Sequence, residues 1–178
     1  MTPTHTALIV EIPAAEPAVA HHRARLDLAA SWGVPAHITI VYPFLPPTAV
    51  TDAVLAGLRE AIGAIPRFTT ALTHVGWFGD TVAWLAPDPD APFRALTHAV
   101  TTRFPDAQPY GGAHPELIPH LTIGHDHPPH LLRAAADEAA NHLPIAADIT
   151  AVHLIQGIPA PGGPWHRTAT LPLGPTAR

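Results

Sequence analysis

The 178-residue sequence contains no cysteine and no lysine, a single methionine and few aromatic residues (6%). The missing cysteine excludes disulfides, thiolate nucleophiles and Cys-based zinc sites, while leaving the redox compartment open. Only 13% of residues are charged, all nine basic residues are Arg, and the formal net charge is −5 with His neutral. No Arg run supplies the basic face by which proteins grip long duplex nucleic acid through its phosphates, so a small ligand or a strand end suits the chain better. Long apolar runs are lacking too. The largely apolar stretch from Ala7 to Ile12 is too short for a signal peptide or a membrane span and has no basic lead-in, so no membrane partner and a cytoplasmic location are expected.

What remains is the composition of a globular protein. The length falls in the single-domain range and 47% hydrophobic content is ordinary, so residues 1–178 are expected to form one domain, and a monomer. Ala, Pro, Arg and His are abundant while Lys is absent, a bias that reads as GC-rich coding. Counting the 14 histidines therefore supports no metal site, and only their positions carry information.

Position is informative at His37-Ile38-Thr39-Ile40, because the same arrangement returns at His120-Leu121-Thr122-Ile123. A strand alternates its side chains between faces, so each stretch presents His and Thr on one side and two aliphatic residues on the other. A bare His-x-Thr triplet is expected roughly once or twice by chance at this composition, and His166-Arg167-Thr168 is such an instance. Requiring Ile, Leu or Val at the second and fourth places lowers the expectation to below about 0.1 per chain.

The surrounding elements repeat as well. Residues 6–12 read as a strand, 18–32 as a helix stopped by Gly33, and 36–42 as the first motif strand, broken by Pro43, Pro46 and Pro47. Thr48 or Thr51 then caps a helix with Val54, Leu55, Leu58 and Ile62 on one stripe, and 67–77 reads as a strand ended by the turn Gly79-Asp80. The order restarts with a strand over 81–86, a helix opened by Asp90 and Pro92, a loop through Tyr110-Gly111-Gly112 and the second motif strand. A helix over 130–141, a strand after Pro144 and a last strand over 165–173 complete the chain, and Leu72-Thr73-x-Val75 is answered by Ile149-Thr150-x-Val152. These repeats read as an internal duplication with lobes over about 1–79 and 80–178. Two such lobes closing face to face would bring both His-Thr pairs into one cleft.

With these motifs the sequence resembles the two-histidine (2H) phosphoesterase superfamily, also called 2′-5′ RNA ligase-like. Its signature is a pair of His-hydrophobic-Thr-hydrophobic motifs about eighty residues apart, the separation of His37 and His120 here. The resemblance implies an α+β, bilobal duplicated fold, two antiparallel-sheet lobes with flanking helices around a central cleft. It implies that His37 and His120 act as general acid and base on a phosphodiester, often a 2′,3′-cyclic phosphate, that Thr39 and Thr122 hold the phosphate oxygens, and that no metal or cofactor is needed. Many relatives carry Arg or Lys soon after the second motif, whereas this chain has Gly124-His125, so either His125 substitutes as a weaker donor or phosphate binding rests on the threonines and main-chain amides.

The chemistry is sound independently of the resemblance. In-line displacement at phosphorus needs a base at the attacking oxygen and an acid at the leaving oxygen, and imidazole serves either role near neutral pH. Thr hydroxyls donate to nonbridging oxygens. The expected substrate is therefore a nucleotide or RNA end bearing a cyclic phosphate or related phosphodiester. Tyr42, Phe44, Trp77, Tyr110 and Trp165 lie close to the motifs or to rim loops and are candidates for stacking on a base, with His125, Tyr42 and Trp165 the substrate-binding candidates.

Two other classes compete. His120, His125, Asp126, His127 and His130 offer imidazole and carboxylate ligands for a divalent-metal hydrolase, although two prolines interrupt the cluster and its spacing matches no established ligand motif. A binding module of the same fold would capture a nucleotide or RNA end without turnover, yet capture alone requires no pair of proton carriers. His21-His22 on the first helix reads as surface.

Overall fold

A computed structural model describes residues 2–112 and 117–176 of the chain. The chain runs β1 (His5–Glu11), α1 (Glu16–Leu26), α2 (Leu28–Ser31), β2 (His37–Val41), α3 (Asp52–Gly63) and β3 (Phe68–Phe78), then β4 (Val82–Asp88), α4 (Ala91–Arg103), β5 (Leu121–His125), α5 (Pro129–Ala140), β6 (Ile145–Ile149), β7 (Ala151–Gly157) and β8 (His166–Pro172). The strands form two four-stranded antiparallel sheets, ordered β2-β1-β7-β8 and β5-β4-β3-β6. This is the α+β, bilobal, duplicated architecture expected from the sequence, with β2 and β5 as edge strands that approach one another.

The halves of the sequence do not each build one sheet. β3 leaves the first half to pair with β4, while β7 and β8 leave the second half to pair with β1. Helices cross as well: α1 packs on β5, and α4 packs on β2. Division at residues 79 and 80 therefore falls at the β3–β4 turn, within one sheet. The expected strand through Ile149-Thr150-x-Val152 is two strands, because β6 ends at Ile149 opposite Phe68 and β7 begins at Ala151 opposite Pro172. Thr150 is the residue at which the chain passes from one sheet to the other.

The helix expected over 18–32 is also divided. Asp27 is extended (φ −127°, ψ 113°), and its carboxylate accepts a hydrogen bond from Ala29 N at 3.1 Å, so the residue ends α1 and caps α2. Gly33 follows as the expected stop, in the left-handed region at φ 84°.

The core lies between the sheets and their helices. Leu8, Ile38, Ile40, Leu58, Ile62, Leu85, Leu121 and Ile123 are buried in one continuous cluster, each worth about 1.5–3 kcal/mol by burial of its side chain. β1 is buried on both faces. Its Leu8 and Val10 join that cluster, while Ala7 and Ile9 point the other way into a smaller one with Val34, Ile155 and Trp165. β1 thus separates the structural core from a second apolar surface, on the face of β2 that carries His37 and Thr39.

Candidate active site

The two motif segments are built alike. Ile38 and Ile40 on β2, and Leu121 and Ile123 on β5, are buried, which turns Thr39 and Thr122 to the opposite, half-buried faces. His37 opens β2 and His120 immediately precedes β5, and both rings are half-buried. His37 Nδ1 lies 2.7 Å from the carbonyl of Pro35, and His120 Nδ1 lies 2.7 Å from the carbonyl of Ile118. A carbonyl only accepts, so each Nδ1 carries a proton and each neutral ring presents the lone pair of Nε2.

Their surroundings differ. The first lobe sets His37 near an ion pair buried in α1. Arg23 Nη2 is 2.8 Å from Asp27 Oδ2, Arg23 Nη2 also donates to the Val34 carbonyl at 3.2 Å, and both side chains are 3% exposed. Burial, followed by the positive charge of Arg23, holds His37 well below the ordinary imidazole range, at about 4, with the Pro35 hydrogen bond and Asp27 opposing; the charge of His120 also acts on it. The β5-β4-β3-β6 sheet sets His120 among aromatic rings, with Phe78 edge-on at 4.9 Å between centroids and Trp84 at 5.9 Å. Burial lowers the pKa of His120 too, opposed by its hydrogen bond to Ile118.

A cavity of about 290 Å³ opens between the lobes. His37 and Thr39 line it from one motif, Thr122 and His125 from the other, and Tyr42, Trp32 and Trp165 form an aromatic wall. His120 stands outside this lining, beside Phe78. Trp32 and Trp165 are stacked 6.1 Å apart, and Tyr42 meets Trp165 edge-on at 6.0 Å. The indole of Trp165 lies across Gly157, where a Cβ would fall 2.4 Å from its Cγ, so only glycine leaves room for that ring. Behind these residues lie Ala7, Ile9, Val34 and Ile155 of the small apolar cluster.

The structure also accounts for Gly124-His125. Gly124 is where α1 closes on β5: a Cβ there would lie 2.6 Å from Leu26 Cβ. A long cation at that position would push the helix away. His125 points instead into the cavity, with Nδ1 3.6 Å from Asp27 Oδ1.

Of the sequence candidates, His37, Thr39, Thr122, His125, Tyr42 and Trp165 come together around one cavity. Phe44 and Trp77 pack in or against the core, and the Tyr110 side chain lies outside the described residues. His120, His125, Asp126, His127 and His130 do not converge. Among the described residues, three potential ligands meet only at His21, His22 and Glu138. His22, expected on the surface, is buried because its face of α1 packs towards α5. Sequence reasoning missed Trp32 and Asp27 at the cavity, Arg23 as the partner of Asp27, and Phe78 and Trp84 at His120. Only the Arg23/Asp27 pair left a signal, its i, i+4 spacing on an expected helix.

Comparison with known proteins bears on the family and the fold. The sequence model of the 2′-5′ RNA ligase superfamily matches residues 11–158. No curated protein sequence matches. Among solved structures, the chain is similar to E. coli LigT complexed with 3′-AMP, with TM-score 0.65 and 19% identity over 97% of this chain and 99% of that one. It is similar to E. coli LigT complexed with NADP+, with TM-score 0.62 and 18% identity over 98% and 99%. TT0787 of Thermus thermophilus gives TM-score 0.65 and 14% identity over 97% and 100%.

Proposed function

The chain belongs to the 2′-5′ RNA ligase superfamily, and on that premise we propose that it is a metal-independent phosphodiesterase acting on a 2′,3′-cyclic phosphate or related phosphodiester of a nucleotide or RNA end. The observation that carries this reading is the matched pair of imidazoles. Each is tied at Nδ1 to the carbonyl two residues before it, each is followed by a Thr on the same face, and they come from the facing edges of two sheets.

His37 is the proposed base. Burial and the Arg23 charge keep its ring neutral near pH 7, so Nε2 takes the proton of the attacking water as the new P–O bond forms. His120 is the proposed acid. Once a phosphodiester anion is bound nearby, its protonated form is favoured, and it delivers a proton to the ribose oxygen as the old P–O bond breaks. Thr39 and Thr122 donate to the nonbridging oxygens and hold phosphorus between the rings. His125 adds a donor from the Asp27 side. The wall of Trp32, Trp165 and Tyr42 supplies a stacking surface for a base, in keeping with the nucleotides named with E. coli LigT.

The test is hydrolysis of 2′,3′-cyclic nucleotides and short RNAs ending in a cyclic phosphate, with and without EDTA, by wild type, His37→Ala and His120→Ala. Turnover that resists EDTA and is lost in each variant supports the two-histidine reading. Loss of turnover to EDTA moves the chemistry to a metal, and binding without turnover on any of these substrates makes the protein a capture module.

A further inference from the structure

Away from the cleft, on the outer side of α1, two consecutive histidines face a glutamate of α5. His21 Nε2 lies 3.2 Å from Glu138 Oε1, and His22 Nε2 lies 3.4 Å from Glu138 Oε2. One ligand atom from each residue falls within 4.8 Å of the other two. Adjacent helix residues normally diverge by about 100°, so two neighbouring imidazoles reaching one carboxylate is an unusual convergence.

The two histidines are not equivalent. His21 and Glu138 are more than half exposed, and a surface ion pair would account for them. His22 is not so explained. Its side chain is 8% exposed, and its Nε2 is buried without a hydrogen-bond partner, the 3.4 Å approach to Glu138 lacking hydrogen-bond geometry. Buried polar atoms are nearly always satisfied, and an imidazole nitrogen 3.4 Å from a carboxylate, in a ring that lies 3.7 Å from a second imidazole between centroids, has the makings of a ligand.

We propose that His21, His22 and Glu138 form a binding site for one divalent transition-metal ion of the zinc class, which fastens α1 to α5. Two imidazoles and a carboxylate are a donor set that suits Zn²⁺. Tetrahedral bonds of about 2.0–2.1 Å set ligand atoms roughly 3.3 Å apart, which both nitrogen–oxygen separations already approach. The ion would give the orphaned Nε2 a partner and leave a position open to water. Arg25, close to His22, faces the same small cavity and sets an upper bound on affinity by repelling a cation. None of the three ligands belongs to the proposed catalytic set, so this inference stands apart from the phosphodiesterase reading.

The test uses the full chain, freed of metal with chelator, titrated with Zn²⁺ and, as a spectroscopic probe, with Co²⁺, alongside His21→Ala and Glu138→Gln. Both substitutions are at exposed positions and should leave the fold intact. An outer partner of a metal ligand is worth about 10- to 100-fold in affinity, so loss of a ligand should cost at least about tenfold. The expected result is one ion per chain, a raised unfolding temperature with Zn²⁺, visible Co²⁺ absorption bands, and binding weakened at least tenfold in each variant. No saturable binding overturns the proposal. So does binding that either substitution leaves unchanged, since the ion would then sit on other histidines such as His125, His127 or His130.

Discussion

The two halves of the cleft use the same local device in different surroundings. His37 and His120 are anchored identically, Nδ1 to a carbonyl two residues back, so both rings are held at the same tautomer. Around His37 the protein has placed a buried Arg23–Asp27 pair, around His120 two aromatic rings. A duplicated fold delivers two like groups, and the acid–base catalysis proposed above would require two unlike ones. The difference is made by the neighbours rather than by the motif: a fixed positive charge stands against protonation of His37 and has no counterpart among the influences on His120.

The largest expected effect comes from removing either imidazole. His37→Ala and His120→Ala should each lower turnover of a cyclic phosphate about 10²- to 10⁴-fold, and the double variant should fall well short of the product of the two losses because the residues act as a unit. Equal losses would show that the halves contribute alike to the step despite their surroundings.

The next attacks the asymmetry at its source. Arg23→Met leaves Asp27 buried and uncompensated and should cost about 3–5 kcal/mol of stability by chemical denaturation. In the folded fraction, NMR titration should find the His37 pKa moved upward, towards that of His120. A His37 titration indifferent to Arg23 would assign the asymmetry to burial alone.

Smaller effects test the hydroxyls. Thr39→Val and Thr122→Val remove a hydrogen bond to a charged phosphate, worth about 1.5–3 kcal/mol, so each should reduce kcat/KM roughly 10- to 100-fold. Similar losses at the two positions would mean that the proposed clamp is symmetric although the surroundings of the two histidines are not.

A last comparison is a slope in stability against pH. An unfolded His titrates near about 6.5 and His37 in the folded state near about 4, so between those values the unfolded chain binds more protons. Stability therefore rises with pH across that window, falls as pH drops from 6.5 to 4, and gains no further slope from this group below it. His37→Asn should flatten the wild-type curve in that interval, and His120→Asn should do so less.

Much of this arrangement was legible in the residues themselves. The motifs declared which side chains share a face, and burial of Ile38, Ile40, Leu121 and Ile123 follows from the period of two. Tyr42 and Trp165 were accessible to reasoning from proximity. Trp32, Phe78 and Trp84 were not, because their place depends on which strands and helices neighbour which, and no local pattern carries that information. The strand exchange was hidden for the same reason: Ile149-Thr150-Ala151-Val152 has the composition of one strand, and only pairing reveals that it serves two sheets. Asp27 was obscured by the apolar periodicity on both sides of it, which favours a continuous helix until the side chain claims the amide of Ala29.

That exchange has a consequence for how the molecule came to be one chain. If the link at Gly79-Asp80 were cut and the halves treated as separate polypeptides, each would be left with an incomplete sheet and would complete it with strands from the other. Such a pair is a strand-swapped dimer, with its motif histidines on the edges that meet at the dimer axis. Within a single chain the encounter of the halves is unimolecular and the surroundings of the two histidines can differ, as they do here, a freedom that identical subunits never have.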